Sequence, residues 1–281
     1  MTVSKLNLKQ RLATGAQLVV PGVFDALSAK VATDQGFEVV YMSGFAVAGS
    51  LLAKPDIGLV TATEMSERVA QIATAIGPAA NLIADGDNGY GNEKNVARLV
   101  HAYAAAGAQC IQLEDQVSPK RCGHMEGKEV VSLEEAALKI EAAVASRPNE
   151  DFLIMARTDA RATHDLAEAL NRGKAFLGAG ADILFIEAPR SVEELKTIRS
   201  TFPDVPLVAN MVEDGKTPLL SLEELDSLGY QIVLRPVSVL LAVTHCLQQS
   251  YASLKDTGAL NPNSGRLTFP EFNQFVGLND E

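Results

Sequence analysis

Eight short apolar runs recur along the chain, starting at Leu18, Val39, Asn81, Cys110, Phe152, Ile183, Leu207 and Ile232. They show almost no polar alternation, which is what parallel strands covered on both faces require. The segments between them have helix chemistry. Residues 63–76 begin on a threonine cap and stop at Gly77-Pro78, 93–106 end at Gly107, and 132–146 open Ser-Leu-Glu-Glu, a cap with acids in its first turn. Further helices are predicted over 165–179, 191–202, 221–228 and 239–254, and a first one over 6–14 ends at Gly15. Eight strand–helix units without a composition break predict an α/β fold, a single (β/α)8 TIM-type barrel over residues 1–256. A doubly wound open sheet competes, but no glycine-rich phosphate turn supports it.

Two segments exceed the minimal barrel. The loop 116–131 is longer than the roughly two to six residues usual after a strand. The extension 257–281 carries a Pro/Asn/Ser/Gly connector and then Phe269, Phe272 and Phe275, in a chain with ten Phe and no Trp. This tail is too apolar to stay solvated and is expected to pack on the barrel or on a neighbouring subunit.

Composition removes whole classes of function. At 281 residues and 47% hydrophobic the chain can bury a large core, roughly three quarters of its unfolded surface. A net charge of −11 and the lack of a Lys/Arg-rich run speak against nucleic acid or an anionic membrane as partner. No apolar run reaches spanning length and the first residues lack a signal-peptide core, so a cytoplasmic location is expected. The three cysteines are too far apart for a zinc knuckle or a disulfide framework. Cys110 and Cys246 read as small buried apolar residues, whereas Cys122 has polar, turn-like surroundings.

In a barrel the chemistry sits where the strands end. Asp85, Asp87 and Glu114 are hard oxygen donors at the ends of neighbouring strands and suit Mg2+ or Mn2+ with waters retained. A single aspartate in such a loop is more often a turn cap; three together favour a metal. Arg157 offers a planar fork for a carboxylate or phosphate, or a structural salt bridge to Glu187. Asn210 adds a donor, and Ser43 and Gly44 add a hydroxyl and a backbone N–H. Lys120, Arg121 and His124 flank Cys122 and would favour its thiolate, making it an acid or base. A nucleophilic cysteine hydrolase is the rival, without an evident orienting triad. His101 and His245 fall inside predicted helices and His164 at a helix start, so all three read as structural.

Together these residues resemble the isocitrate lyase/phosphoenolpyruvate mutase superfamily. The shared motifs are PGVFDALSA from Pro21, YMSG from Tyr41, DGDNGYG from Asp85, QLEDQ from Gln112, KRCGH from Lys120, ARTDA from Ala156, FIEAP from Phe185 and ANMVEDGKTP from Ala209. The resemblance implies a (β/α)8 barrel with a C-terminal helix exchanged between subunits, a homotetramer and Mg2+. KRCGH marks the carbon–carbon lyase branch, in which Cys122 would be the general acid. A 2-hydroxy di- or tricarboxylate would lose its hydroxyl proton and split by retro-aldol chemistry to a 2-oxo acid such as pyruvate, the remaining carbanion taking its proton from Cys122. The implied catalytic residues are Cys122, His124, Tyr41 as base, and Arg157. The implied substrate contacts are Ser43, Gly44, Asp56, Gly123, Arg157, Glu187 and Asn210, with Asp85, Asp87 and Glu114 at the metal and the loop 116–131 closing as a lid. Leu241, where 2-methylisocitrate lyases carry an arginine, and Pro236, where oxaloacetate acetylhydrolases tend to carry serine, favour a 2,3-dimethylmalate-type dicarboxylate. The alternatives are a 2-methylisocitrate lyase, then an oxaloacetate acetylhydrolase or a phosphonate mutase, and outside the enzymes a protein that only binds a metal–dicarboxylate complex.

Overall fold

The computed structural model describes residues 6–123, 127–262 and 265–278. Its strands are β1 (Leu18–Val23), β2 (Val39–Met42), β3 (Asn81–Asp85), β4 (Cys110–Glu114), β5 (Leu153–Thr158), β6 (Ile183–Ile186), β7 (Val208–Asn210) and β8 (Ile232–Arg235). All pair in parallel in the order β6-β5-β4-β3-β2-β1-β8-β7. A parallel bridge from Leu184 to Leu207 brings β6 against β7, so the sheet is a nearly closed (β/α)8 barrel.

The strands read as apolar throughout because each feeds two cores. Val40, Met42, Leu82, Ala84, Ile111, Leu113, Ile154 and Ala156 face the helices. Their alternates Val39, Tyr41, Ile83, Cys110, Leu153, Met155, Ile183 and Phe185 fill the barrel interior. Leu8 and Leu12 of the first helix, Leu8–Ala13, join that interior cluster. Counting on by twos, the last inward residues of β3, β4 and β5 are Asp85, Glu114 and Arg157. The strand pleat therefore puts charge at the C-terminal mouth.

The helix between β2 and β3 starts at Ala62, earlier than the threonine at 63 suggests. Thr61 and Glu64 form a reciprocal cap: Glu64 N–H donates to Thr61 Oγ1 at 3.3 Å and Thr61 N–H to Glu64 Oε2 at 2.8 Å. Ser132 caps its helix as predicted, and Asp165, Ser191 and Ser221, the first residues of three further predicted helices, cap theirs. The helix Gly44–Leu52 was not delimited from sequence, because a run of small and apolar residues shows no polar face.

The limbs of the 116–131 loop pair with each other. Val117 N–H donates to Glu129 O and Val131 N–H to Asp115 O, both at 2.9 Å, around an antiparallel bridge from Gln116 to Val130. His124 lies outside the described residues.

The chain divides into two compact units, Met1–Leu240 and Leu241–Glu281. The sequence boundary at 256/257 instead falls at the end of the helix Ser238–Thr257. Within the second unit Cys246 is exposed, not buried as expected; its helix has no buried residue. Among the described residues no helix is long and apolar enough to cross a membrane.

Candidate active site

A cavity of about 40 Å³ sits at the C-terminal mouth. Tyr41, Ser43, Asp56, Asp85, Glu114, Cys122, Gly123, Arg157, Glu187 and Asn210 all line it. These predicted residues come from strands β2 to β7, the 53–61 connection and the 116–131 loop, so the barrel gathers what the sequence scatters. Phe45, Val212, Leu234, Pro236 and Val237 complete an apolar side that the sequence did not reveal, apart from Pro236. A cavity of about 560 Å³ lies at the other end, lined by Leu12, Gly15, Arg199, Pro206 and Gln231. Its Arg199 is committed to the carbonyls of Phe202, Val205 and Gly229, and barrels do their chemistry at the opposite face.

Asp85 is almost wholly enclosed. Its Oδ2 accepts from Gly44 N–H at 3.1 Å, and its Oδ1 from Gln112 Nε2 at 3.2 Å and Asp87 N–H at 3.1 Å. Gly44 opens the helix Gly44–Leu52 behind its Ser43 cap, so a positive helix end faces this carboxylate. Only glycine fits there: a Cβ would lie 2.8 Å from Asp85 Oδ2. The Gly44 N–H expected for a substrate is thus spent on Asp85 in this structure. Burial, then the charge of Asp87, pushes Asp85 up to about 6.

Glu114 is also driven well above the usual carboxylate range by burial, against the pull of Arg157. Its Oε2 lies 3.4 Å from Arg157 Nε, while Oε1 is buried with no hydrogen-bond partner among the described residues. Asp87 does not line the cavity. Its Oδ2 accepts from Tyr90 OH at 2.7 Å and its Oδ1 lies 2.6 Å from Lys120 Nζ.

These acids fit a hard divalent ion. In the ion pairs around the mouth the carboxylates of Asp56, Asp87, Glu114, Asp159 and Glu187 share Lys120, Lys128 and Arg157, and buried Asp85 adds a further acid. The excess negative charge and the orphaned Glu114 Oε1 call for a cation. No three described His, Cys, Asp or Glu converge as a finished coordination sphere.

Arg157 is gripped by Asp159, a partner the sequence did not reveal. Nε donates to Oδ2 at 2.9 Å and Nη2 to Oδ1 at 3.1 Å. The anticipated partner Glu187 stands 3.4 Å from Nη2 and accepts from Asn210 Nδ2 at 3.1 Å, and Asn210 Oδ1 has no hydrogen-bond partner among the described residues. The i, i+2 spacing of Arg157 and Asp159 at a strand end was the available signal. Although burial opposes ionisation of Asp159, Arg157 and Lys128 hold it down to about 2.

The loop meets the mouth through Lys120, which bridges Asp56 and Asp87 with both Nζ–Oδ1 distances at 2.6 Å. Burial would lower its proton affinity, but Asp87 and Asp56 raise it well above the ordinary lysine range. Cys122 N–H donates to Asp56 O at 3.1 Å. Lys120 is shared between two carboxylates, whereas Arg121 lines the cavity together with Cys122. Asp56 in turn spends its carboxylate on Lys120.

Tyr41 does not fit the role of base. Its hydroxyl donates to Gln112 Oε1 at 2.9 Å, and burial followed by the Asp85 charge pushes the phenol well above 10, so it stays protonated. Gln112 links Tyr41 to Asp85 and was legible as the one polar residue inside an apolar strand. Asp115 is structural, accepting from Thr158 Oγ1 at 2.6 Å, Asp159 N–H at 2.9 Å and Arg172 Nη1 at 3.0 Å.

The chain matches the phosphoenolpyruvate phosphomutase family over residues 8–255. It is 48% identical to a 2,3-dimethylmalate lyase of Eubacterium barkeri over 97% of this chain and 93% of that protein. It superposes with a TM-score of 0.92 on a crystal structure of 2,3-dimethylmalate lyase, at 34% identity over 97% of this chain and 90% of that one. Oxaloacetate acetylhydrolase bound to 3,3-difluorooxalacetate gives the same TM-score at 35% identity, covering 98% of this chain and 93% of that one. With the family matched over most of its length and a mouth of acids facing a thiol, the chain belongs to the phosphoenolpyruvate phosphomutase/isocitrate lyase family.

Proposed function

We propose that this protein is a Mg2+-dependent carbon–carbon lyase that splits 2,3-dimethylmalate or a close 2-alkylmalate into pyruvate and a carboxylate. The observation that carries the reading is the two-sided cavity. Arg157, Asn210 and the metal acids suit two carboxylates and a hydroxyl, while Phe45, Val212, Leu234, Pro236 and Val237 suit alkyl groups.

Asp85 would hold the ion, with Asp87 and Glu114 beside it. Mg2+ supplies Lewis-acid stabilisation of the negative charge that develops on the substrate oxygen, worth several kcal/mol. With Nε and Nη2 held by Asp159, Arg157 has Nη1 for a substrate carboxylate, a fixed donor worth about 3 kcal/mol if aimed at developing charge. Transfer of the hydroxyl proton to a carboxylate of the mouth, whose proton affinity burial raises, turns C2 into the ketone of pyruvate as the C2–C3 bond breaks. The electron pair left on C3, delocalised into its carboxylate, takes the Cys122 thiol proton and yields propanoate. Lys120 and Cys122 dock the loop on the mouth at Asp56 and Asp87, which excludes water that would quench the carbanion. A cavity of about 40 Å³ holds only about three waters, so the loop opens to load substrate. The exposed apolar surface of the second unit supports a homotetramer.

The test is release of 2-oxo acid with Mg2+ from a panel of 2,3-dimethylmalate, 2-methylisocitrate, oxaloacetate and phosphonopyruvate. The highest kcat/KM belongs to 2,3-dimethylmalate; a clear preference for 2-methylisocitrate would overturn the substrate. Cys122→Ser abolishes turnover while leaving Mg2+ binding intact.

A further inference from the structure

We propose that Lys128 is a positioning residue that fixes Cys122 and Arg157 relative to each other, an inference that rests on the lyase reading above. Its ammonium side chain is only 2% exposed and makes two contacts. It donates to the carbonyl oxygen of Gly123, the residue next to Cys122, and to Asp159 Oδ1 at 2.7 Å. Asp159 grips Arg157 with its two oxygens. The link therefore runs without a gap from the backbone beside the proton donor to the guanidinium that holds substrate.

A second contact closes this chain into a ring. Gly123 lies so close to the far side that a Cβ there would stand 2.5 Å from Arg157 Nη2 and 2.9 Å from Glu187 Cδ. The members are buried and the bonds through Lys128 and Asp159 are charge-assisted, so moving Gly123 disturbs Lys128, Asp159 and Arg157 together. Lysine suits the place. Arg157 already fills the two-pronged face of Asp159, and a second fork would compete for it, whereas an ammonium is a compact point charge with three donors.

Charge balance alone does not explain the arrangement. Asp159 takes part of the Arg157 charge, and the Gly123 carbonyl, which Lys128 also holds, needs no cation for balance. What the contact adds is position, and a displacement of about 1 Å at a reacting group can cost about 100-fold in rate.

The experiment uses full-length protein with Mg2+ and compares wild type with Lys128→Met. Alkylation of Cys122 by iodoacetamide is timed by peptide mass spectrometry, with exposed Cys246 and buried Cys110 as internal references. Lys128→Met speeds Cys122 alkylation by about tenfold or more and leaves Cys246 unchanged, while kcat falls about 100-fold with KM moving less than about threefold. Lys128→Gln retains an N–H donor and falls between the two; it also replaces Lys128→Met if that variant does not fold. A Cys122 rate in the folded variant equal to or slower than wild type overturns the proposal. The alkylation needs no substrate, so its outcome stands apart from failure of the substrate assignment.

Discussion

Asp159 holds Arg157 with two near-parallel hydrogen bonds, Nε to Oδ2 at 2.9 Å and Nη2 to Oδ1 at 3.1 Å, in a site where Asp159 is wholly buried. Burial resists its charge, yet Arg157 and Lys128 lower it to about 2. A depressed carboxylate stabilises the fold fully above its unfolded value of 3.8, and the contribution fades as pH falls through about 2. Asp159→Asn leaves two buried cations short of their counter-charge, which costs about 3–5 kcal/mol. Urea unfolding shows that loss about equally across the neutral range, and turnover drops about 100-fold because Arg157 is no longer aimed. A variant as stable and active as wild type would refute the assignment.

Tyr41→Phe separates an orienting phenol from a base. The Tyr41 hydroxyl already gives its proton to Gln112 and is pushed well above 10, so removing it costs one hydrogen bond, about tenfold in kcat at most. A catalytic base would cost about 100- to 10,000-fold. Steady-state kinetics at neutral pH decides between them, and a drop in the larger range restores Tyr41 as the base.

The barrel was legible because its strands are short apolar runs and its helices carry capping residues at their starts. Asp85, Glu114, Arg157, Glu187 and Asn210 were legible too, since polar residues ending apolar strands stand out. Partners formed by side-chain reach were not. Nothing in the order Lys120-Arg121-Cys122 says that the lysine turns to Asp56 and Asp87 instead of the thiol, nor that Lys128 is buried. The apolar wall of Phe45, Val212 and Val237 was hidden for a related reason: one more hydrophobic residue after a strand looks like core.

Asp85 and Glu114 couple metal binding to pH. Burial, reinforced by Asp87, raises Asp85 from 3.8 to about 6, and burial raises Glu114 as well. A carboxyl raised on folding lends stability that is complete below its unfolded value and is lost as pH climbs through the folded one. The metal-free protein thus gives up this contribution on approaching neutrality, where ionised, mutually repelling acids await a cation. Mg2+ should therefore raise Tm more at about pH 7.5 than at about pH 5.5, measured by scanning fluorimetry against EDTA controls. Equal shifts at the two pH values would sink the link. Activity removed by EDTA returns with Mg2+ or Mn2+.

The second unit predicts self-association. Leu247, Tyr251 and Leu254 are spaced four and three apart on the helix Ser238–Thr257 and form one apolar face, with Tyr251 67% exposed. Phe269, Leu267 and Leu278 expose further apolar surface in the same unit. Apolar side chains exposed at this spacing need cover, and a second copy of the same helix face supplies a matching one. Light scattering should give a tetramer for wild type and a smaller species for Leu247→Asp combined with Tyr251→Asp. The barrel core lies in the other unit, so the far-UV circular dichroism should stay strand- and helix-rich in the variant. A monomeric wild type at micromolar concentration, or an unchanged mass in the variant, would remove this face from the assembly.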